Sequence, residues 1–586
     1  MCEENRSFLN FRAASCRRRL DGIEPNPKIA IRPGGSNREV RTLKIDQEKS
    51  TAWVWRAIEW WGYPRSIAEI RFRDVAIVLV IALAVWGYVD VRRRGRVVPG
   101  REDAHMTDFT VYTAAGAAFF NGQDPYEVTN VRKWYYLYPP LFAILVSPLS
   151  SLATEDQVSV WFMISVAAAF GCYFECRKIW NGLDAQRDRS GFSNCKIPAR
   201  LIGIGAALTV FLPALECLQR GQLGIALVYP LLLGYRLVLT GSSRSVRILG
   251  GFTLAAPVVM KLIPALPVGF LILQLWGSRF FTKRLDAPRG DDGRGESTGV
   301  YDGRGESTRA DPARSAFAVS AGFAFGVLFF AFLFPAACVG GHDTIKHTRT
   351  WLNKMVFNQD AGRENKFDID TGTNQSLSNA SFLLAAKLRG GPVADFNKQT
   401  RNDWMDTVRA IAERRRADHL TRGVVLVARV VVLALLSLVS LLMIRRGDFA
   451  GQAASFGLAS AAIVLVSPVA YRHYFVFMLP AVLFAPRVLA LAGRTKTAIV
   501  AAIFPAALTW IYFLTKQWTG AYGMEGLGIA AWYFAVVAAI LPIKLPRRAV
   551  EPSDRSSAAP IVQKREAIDQ NPKFAKIIRN DQVFVD

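Results

Sequence analysis

The sequence predicts an all-α integral membrane protein, a bundle of about twelve transmembrane helices. Hydrophobic residues make up 51% of its 586 residues, which is more than an average soluble protein carries, and the chain is too long for one soluble core. These residues also occur in blocks, several of which reach the roughly 20 residues that a helix needs to cross the hydrocarbon core. Polar segments separate the blocks, as expected for a chain that crosses a membrane repeatedly.

Twelve apolar blocks are the candidate transmembrane helices. They are residues 74–90, 158–176, 201–218, 222–240, 248–260, 262–276, 316–336, 422–444, 452–470, 474–492, 497–515 and 527–543. Blocks 248–260 and 262–276 are short and meet near Lys261, which predicts a bend there. A further block, 138–152, contains three prolines, so we predict a re-entrant or interfacial helix there rather than a crossing.

The lysines and arginines between the blocks predict the orientation, because these residues are enriched on the cytoplasmic side. The segments placed inside are the N-terminal tail, 177–200, 241–247, 277–315, 445–446, 494–496 and the tail from Lys544. The segments placed outside are 91–157, 219–222, the bend at Lys261, 337–421, 472–473 and 516–526. One basic run, Arg92–Arg96, falls outside against this rule. Either the first helix is inverted or these arginines contact phosphate groups near the outer face.

This orientation divides the chain into three parts. They are a cytoplasmic basic tail with an interfacial aromatic segment over 1–73, a polytopic transmembrane domain over 74–543, and a second cytoplasmic basic tail over 544–586. Within the central part, 91–157 is the first outer loop, 277–315 a cytoplasmic low-complexity linker with a duplicated DGRGEST sequence, and 337–421 a long outer loop.

The formal net charge of +25 does not indicate a nucleic-acid-binding protein. The basic residues lie in the tails and in the loops between apolar blocks, where anionic lipids of the inner membrane face are a sufficient partner. We therefore expect membrane lipids, and no nucleic acid, as partners of these residues.

The histidines and cysteines do not predict a metal site or a disulfide framework. His342 and His347 are five residues apart and do not share a helix face, and nothing nearby in the sequence completes a ligand set. The seven cysteines include no CxxC pair, and most lie in or beside apolar blocks, so we interpret them as packing residues. We expect no metal and no cofactor.

Polar residues that suit chemistry gather on the predicted outer side. They are Asp103, Asp108 and Asp124 in the first outer loop, Gln219–Gln222, Lys261, Asn374–Ser376 and Arg472–His473. Lys261 places an ammonium among apolar residues, which is costly and usually functional. Between two short helices it is placed to pair with a lipid phosphate, although a lysine that snorkels to the interface gives the same pattern.

The aspartates and the last histidine have different expected roles. Asp108 is the strongest candidate for a general base, a carboxylate that takes a proton from a reacting hydroxyl. Asp124 lies two residues after Gly122 and directly before Pro125, which suits a structural turn better than catalysis. His473 is either a ligand of a phosphate group or an interfacial histidine.

Several short motifs follow one another in a fixed order between about residues 105 and 480. They are Asp108 with Tyr112 and Ala115, Gly122–Tyr126, Tyr138–Leu141 with Ser147–Leu149, Gly221–Gln222, Lys261–Pro264, Asn374–Ser376, and Ser467–Pro468 before Arg472–His473. Together they resemble glycosyltransferase family 87, polytopic enzymes of the GT-C superfamily. The order and the placement between spans carry this resemblance more than any single motif.

The resemblance implies a glycosyltransferase that moves a hexose, typically mannose, from a polyprenyl-phosphate-linked donor to a lipid- or cell-envelope-linked glycan at the extracytoplasmic face. The base implied by the family, an acidic residue of the first outer loop, maps onto Asp108, and we expect inversion by a single displacement. The expected contacts of the donor phosphate are Lys261, Arg472 and His473. The candidate substrate contacts are Asp124, Tyr126, Tyr138, Gln222, Asn374 and Gln375. Leu223 and Tyr474 depart from residues that are common in the family, an Asn and a His, which leaves the sugar and the acceptor open.

Two other functions stay open from the sequence. A polytopic secondary transporter is the first, because such proteins place polar residues on broken helices and the region 248–276 is interrupted by proline. Against it, no repeated halves are visible and the polar residues lie at the ends of spans. A non-catalytic membrane protein that binds lipid is the second.

Overall fold

The computed structural model of the protein describes residues 72–101, 104–131, 134–189, 199–285, 312–356, 375–388, 419–446, 449–467, 470–515 and 524–542. These residues are almost entirely helical. Within them there is no β-strand, only an isolated antiparallel bridge between Thr129 and Tyr135. The predicted all-α fold is thereby confirmed. The predictions for most of the two tails and for the duplicated sequence of the linker fall outside the described residues.

The chain forms two compact units. The first is Met1–Leu83 and the second is Ala84–Asp586. Helix α1 (Phe72–Gly95) begins in the first unit and ends in the second. Residues 72–83 of this helix are the described part of the first unit. All further described helices belong to the second unit.

The remaining helices follow the apolar blocks closely. In chain order they are α2 (Phe109–Phe120), α3 (Pro140–Val146), α4 (Thr154–Arg189), α5 (Ala199–Arg220), α6 (Gly224–Thr240), α7 (Arg244–Met260), α8 (Ala265–Leu285), α9 (Pro312–Leu328), α10 (Phe334–Val339), α11 (Gly341–Trp351), α12 (Leu377–Leu388), α13 (His419–Arg446), α14 (Phe449–Val466), α15 (Leu479–Leu491), α16 (Thr495–Leu514) and α17 (Met524–Ile540). Short 3₁₀ segments follow α3 (Ser147–Ser151) and precede α15 (Arg472–Met478). A π-helical turn, Phe329–Leu333, joins α9 to α10, and a second, Leu352–Val356, follows α11.

The lengths of these helices support a membrane protein. Seven of the described helical segments are long and apolar enough to cross a membrane, namely Thr154–Ala185, Arg200–Arg220, Ser315–Val339, His419–Met443, Phe449–Val466, Arg472–Leu491 and Thr495–Leu514. Gly224–Thr240, Ala265–Ser278 and Met524–Ile540 are apolar but shorter. Each of the twelve predicted blocks falls mainly on a described helix, whereas the number of crossings stays a prediction.

The proline-containing block of the first outer loop is a short helical segment. The apolar helical stretch Pro140–Ser151 combines α3 with one 3₁₀ segment. At about 1.5 Å per residue, twelve residues extend roughly 18 Å, which is too short for a hydrocarbon core of about 30 Å. The segment therefore agrees with an interfacial or re-entrant helix.

Helix α14 lies at the centre of the bundle. Of residues 450–465, all but Gln452 are buried. Small side chains allow close approach of helix α15, because a Cβ atom at Gly457 would lie 2.8 Å from the carbonyl oxygen of Pro480. Helix α13, by contrast, exposes Val424 and Val427 on its surface, as expected for a helix that faces lipid.

The basic run at the end of α1 is compensated by carboxylates. Arg94 and Arg93 pair with Asp90 at 2.6 and 3.0 Å. Arg92 pairs with Asp156 at 2.7 Å and Arg96 with Glu155 at 3.2 Å, and both acids stand in the first turn of α4. The structure therefore occupies these arginines with carboxylates, whereas the orientation of the first helix stays a prediction.

Candidate active site

Asp108 stands immediately before α2 and is fastened to the turn between α5 and α6. Its backbone N–H donates to the carbonyl oxygen of Arg220 at 2.8 Å. The residue is only 7% exposed. One guanidinium nitrogen of Arg220 lies 3.4 Å from Oδ1 and 3.3 Å from Oδ2 of Asp108. The side-chain amide of Gln222 donates a second hydrogen bond to Oδ2, so both carboxylate oxygens have donors.

A glycine makes this arrangement geometrically feasible. Gly221 has φ +68°, a left-handed conformation that other residues adopt only with strain. A Cβ atom at this position would lie 2.6 Å from Cβ of Phe109, closer than side chains pack. The turn can therefore pass next to the start of α2 and place Arg220 and Gln222 against Asp108.

Gln222 links Asp108 to two tyrosines. Its Oε1 accepts hydrogen bonds from Tyr138 at 3.3 Å and from Tyr112 at 3.4 Å. The ring centroids of the two tyrosines are 5.3 Å apart in an edge-on arrangement. Burial raises the pKa of Tyr138 more than the neighbouring Lys261 lowers it, so this phenol is protonated at neutral pH and donates.

Lys261 lies on the other side of Tyr138, at the predicted bend between α7 and α8. It has an extended backbone and is 9% exposed. Its ammonium lies 3.4 Å from the Tyr138 hydroxyl, 4.8 Å from the centroid of the Tyr138 ring and 4.0 Å from that of Tyr474. Within the described part of the chain, no carboxylate lies within ion-pair distance of this ammonium. A buried cation held only by a hydroxyl and two aromatic rings can still take an anion.

Arg472 and His473 open the 3₁₀ segment before α15. The Arg472 guanidinium lies 4.0 Å from Glu216 of α5 and 4.7 Å above the Tyr512 ring. Glu216 also pairs with Arg220 at 3.5 Å, so charges of alternating sign run from Asp108 to Arg472. His473 is buried, and its ring centroid lies 4.7 Å from that of Tyr474.

Asp124 and Tyr126 stabilise the loop that carries Tyr138. Asp124 accepts a hydrogen bond from the Tyr126 backbone N–H at 2.9 Å and pairs with Lys354 at 3.1 Å. These are the contacts of a turn residue, the role that the sequence favoured for Asp124. The buried Tyr126 donates to the Tyr138 carbonyl oxygen at 3.3 Å, and burial raises the pKa of its phenol.

Gln375 connects the long outer loop to two other segments. It is completely buried. Its backbone N–H donates to the Ala470 carbonyl oxygen at 2.8 Å, and its Oε1 accepts from the Gly526 N–H at 3.4 Å. These bonds attach the start of α12 close to the segment that carries Arg472. Asp103 and Asn374 lie outside the described residues.

Four residues of the cluster were not singled out as site residues from the sequence. Arg220 was visible only as part of a polar turn, and Glu216 precedes it by one helical turn within an apolar block. Tyr474 was noted as a departure, not as a contact of Lys261. Glu525 is completely buried and faces Arg472, and its only signal was an acidic residue at the start of an apolar block.

The fold indicates a polytopic membrane protein, and the cluster combines a buried carboxylate, a buried amide, two tyrosines and a buried ammonium. The model of glycosyltransferase family 87 matches residues 136–283. This segment contains Tyr138, Arg220, Gln222 and Lys261 but not Asp108. The match confirms the resemblance to this GT-C family over that segment and implies a membrane glycosyltransferase. No curated protein and no solved structure matches the chain.

Proposed function

We propose that the protein transfers a hexose, with mannose as the first candidate, from a polyprenyl-phosphate-linked donor to a lipid- or cell-envelope-linked glycan. The family match supports the reaction class. One observation carries the finer proposal: buried Asp108 and buried Lys261 belong to one hydrogen-bonded cluster. Asp108 can act as a base, and Lys261 is a cation with no carboxylate partner among the residues that the structure describes. Both termini are cytoplasmic in this proposal, and the cluster is extracytoplasmic, since the basic loops lie at the opposite ends of the helices.

The chemistry requires one base and one cation. The acceptor hydroxyl attacks the anomeric carbon while Asp108 removes its proton. The bond between the anomeric carbon and the phosphate oxygen breaks, and the lipid phosphate leaves with the electron pair. Attack from the face opposite the leaving group inverts the configuration. Lys261 stabilises the negative charge that develops on the leaving phosphate.

Lys261 is the strongest candidate for the donor phosphate because of what surrounds it. A buried ammonium costs free energy unless an anion compensates it. Cation–π contacts recover only about 0.5–2 kcal/mol each. Arg220 and Arg472, by contrast, already have Glu216 between them. We therefore assign Arg472 chiefly to holding Glu216, and His473 to the wall of the phosphate site beside Tyr474.

The remaining candidate substrate contacts fall into two groups, those between Asp108 and Lys261 and those outside the cluster. Tyr138 and Gln222 lie between the base and the cation, where substrate atoms would pass. Asp124, Tyr126 and Gln375 make the loop contacts described above and position the site from outside it. The acceptor enters from the first outer loop in this proposal, since Asp108 begins that side of the cluster.

The experiment is sugar transfer by the purified full-length protein in lipid nanodiscs. Polyprenyl-phosphate-mannose is the donor, and a panel of glycans and glycolipids supplies acceptors. Asp108→Asn removes the base at constant shape. Asp156→Asn is the matched control, a carboxylate of the same region whose ion-pair partner among the described residues is Arg92. We expect transfer by the wild type and the control and at least a hundredfold lower rate in Asp108→Asn.

Other outcomes have distinct meanings. Transfer that survives in Asp108→Asn would keep the reaction class and reject the base. No transfer with any donor and acceptor, combined with solute uptake into proteoliposomes, would replace the enzyme by a transporter.

A further inference from the structure

A continuous chain of hydrogen bonds crosses the cluster from Lys261 to Asp108. The Lys261 ammonium donates to the Tyr138 hydroxyl at 3.4 Å, and this hydroxyl donates to Oε1 of Gln222 at 3.3 Å. The amide nitrogen of Gln222 donates to Oδ2 of Asp108. Tyr112 donates to the same Oε1 at 3.4 Å but makes no described contact with Lys261, so it is a branch of the chain rather than a link.

The chemistry of the groups fixes the direction of this chain. An ammonium can only donate and a carboxylate can only accept. If the Gln222 amide were turned around, its oxygen would face the Asp108 carboxylate, and two acceptors would repel each other. The protonated phenol of Tyr138 then has one way to satisfy both neighbours, accepting from Lys261 and donating to Gln222. Every donor in the chain therefore points from the cation toward the base.

Because the chain of hydrogen bonds is buried, a change at Lys261 can affect Asp108 at its other end. Asp108, Gln222 and Lys261 are all less than a tenth exposed, so water competes little with these bonds. In such a site each hydrogen bond polarises the next, by about 10–30% per bond. A donor that is polarised by a cation binds the carboxylate more strongly, and a strongly bound carboxylate accepts a further proton less readily.

We infer that Tyr138 and Gln222 are positioning residues that couple the occupancy of Lys261 by phosphate to the availability of the Asp108 carboxylate. This inference rests on the proposed function, in which Lys261 takes the donor phosphate and Asp108 is the base. When a phosphate binds the ammonium, Lys261 polarises Tyr138 less, and Gln222 holds Asp108 less tightly. The base is therefore more available once the donor is in place.

The other charged and titratable groups around Asp108 do not provide such a link. Arg220 lies 3.3 Å from Asp108, but its other ion pair is with Glu216 and not with a group of the chain. Tyr112 and Tyr474 interact with Asp108 through its charge. These groups and Lys261 also act on Asp108 electrostatically through space. That effect is the same in variants that break the chain of hydrogen bonds, so an experiment can separate it from coupling through the chain.

The experiment measures the reactivity of Asp108 without requiring sugar transfer. The full-length protein in nanodiscs is treated at fixed pH with a carbodiimide and an amine, and labelling of Asp108 is quantified by peptide mass spectrometry. The probe is a polyprenyl monophosphate without sugar, whose binding is followed by native mass spectrometry. The quantity compared is the ratio of labelling with and without this lipid.

Two isosteric variants give opposite expectations. Tyr138→Phe breaks the chain, whereas Tyr112→Phe removes an equally long bond to the same Gln222 oxygen and leaves the chain intact. We expect the lipid to increase labelling about two- to fivefold in the wild type and in Tyr112→Phe. In Tyr138→Phe the ratio should fall below that of the wild type, to the value that through-space effects alone produce, although the lipid still binds. Gln222→Met removes the central link and should give the same loss.

The outcomes separate the relay from the proposed function. Equal ratios in Tyr138→Phe and the wild type, with the lipid bound, overturn the relay and leave the donor site intact. Failure of the lipid to bind the wild type overturns both the relay and the phosphate role of Lys261. The transfer assay with Asp108→Asn tests the reaction class in either case.

Discussion

Replacing Lys261 by methionine should abolish most activity while leaving the fold intact. Methionine keeps an unbranched side chain of similar length and removes the charge. Most buried cations cannot be replaced in this way, because their removal leaves a carboxylate without a partner. Lys261 is different, since the groups around its ammonium are the Tyr138 hydroxyl and the rings of Tyr138 and Tyr474.

The expected magnitudes follow from these contacts. The folded protein loses one long hydrogen bond and cation–π contacts worth about 0.5–2 kcal/mol. The substitution also removes the free-energy cost of burying an ammonium, and this gain is of the same size or larger. We therefore expect a change in the free energy of unfolding within about 1 kcal/mol. The transition state loses a charge-assisted bond to the leaving phosphate, about 1.5–3 kcal/mol, which corresponds to roughly 10- to 150-fold in kcat/KM.

The assay combines transfer kinetics with thermal unfolding in nanodiscs. Lys178→Met is the matched control, because Lys178 is exposed and its partner Glu175 keeps a second bond to Arg236. Arg220→Met is the contrasting variant, since it leaves both Asp108 and Glu216 without their shared cation. This variant should lose activity, and its free energy of unfolding should fall by about 1–3 kcal/mol. This range is below the roughly 3–5 kcal/mol of a fully buried ion pair because the Arg220 side chain is about one third exposed. Full activity in Lys261→Met, or unfolding as severe as in Arg220→Met, would refute the reasoning.

Two further predictions concern the scaffold of the site. Gly221→Ala should reduce transfer at least tenfold and destabilise the protein by about 1–3 kcal/mol, because the added Cβ would lie 2.6 Å from Phe109 at a φ of +68°. Gly203→Ala, with no atom within 4 Å of its added Cβ, should be neutral or slightly stabilising in the same thermal unfolding assay. In α11, burial lowers the pKa of His347, which packs on Phe119 at 4.4 Å. The unfolded form therefore gains the proton first as pH falls, so the protection of α11 against hydrogen exchange should weaken below about pH 6.5. His347→Asn should remove that pH dependence, and an unchanged dependence would exclude His347 as its source.

The helices and the grouping of polar residues were accessible to sequence reasoning for physical reasons. Apolar blocks of sufficient length leave a membrane chain no alternative to helix, because backbone groups in lipid must bond internally. Counting crossings then places the turn at Gln222, the bend at Lys261 and the segment at His473 on one side. The structure brings these residues together around Asp108.

The internal contacts of the cluster were not accessible in the same way. The direction of the Arg220 side chain depends on the conformation of Gly221, and a lone Gly in a polar turn does not reveal a positive φ. Tyr112 and Tyr474 lie in apolar sequence, where an aromatic residue that faces lipid and one that contacts a cation look alike. Glu525 and Gln375 acquire their surroundings from segments distant along the chain, which no local pattern records.

The turn Arg220–Gln222 explains how one site can draw its base and its cation from different parts of the chain. The segment that matches the family model contains this turn and Lys261, whereas Asp108 precedes that segment. The backbone bond from Asp108 to Arg220, at 2.8 Å, is made by atoms that every residue possesses. It ties Asp108, the proposed base, to this turn. We therefore expect the donor half of the site to tolerate little change, and differences in acceptor to arise in the outer loop that follows Asp108.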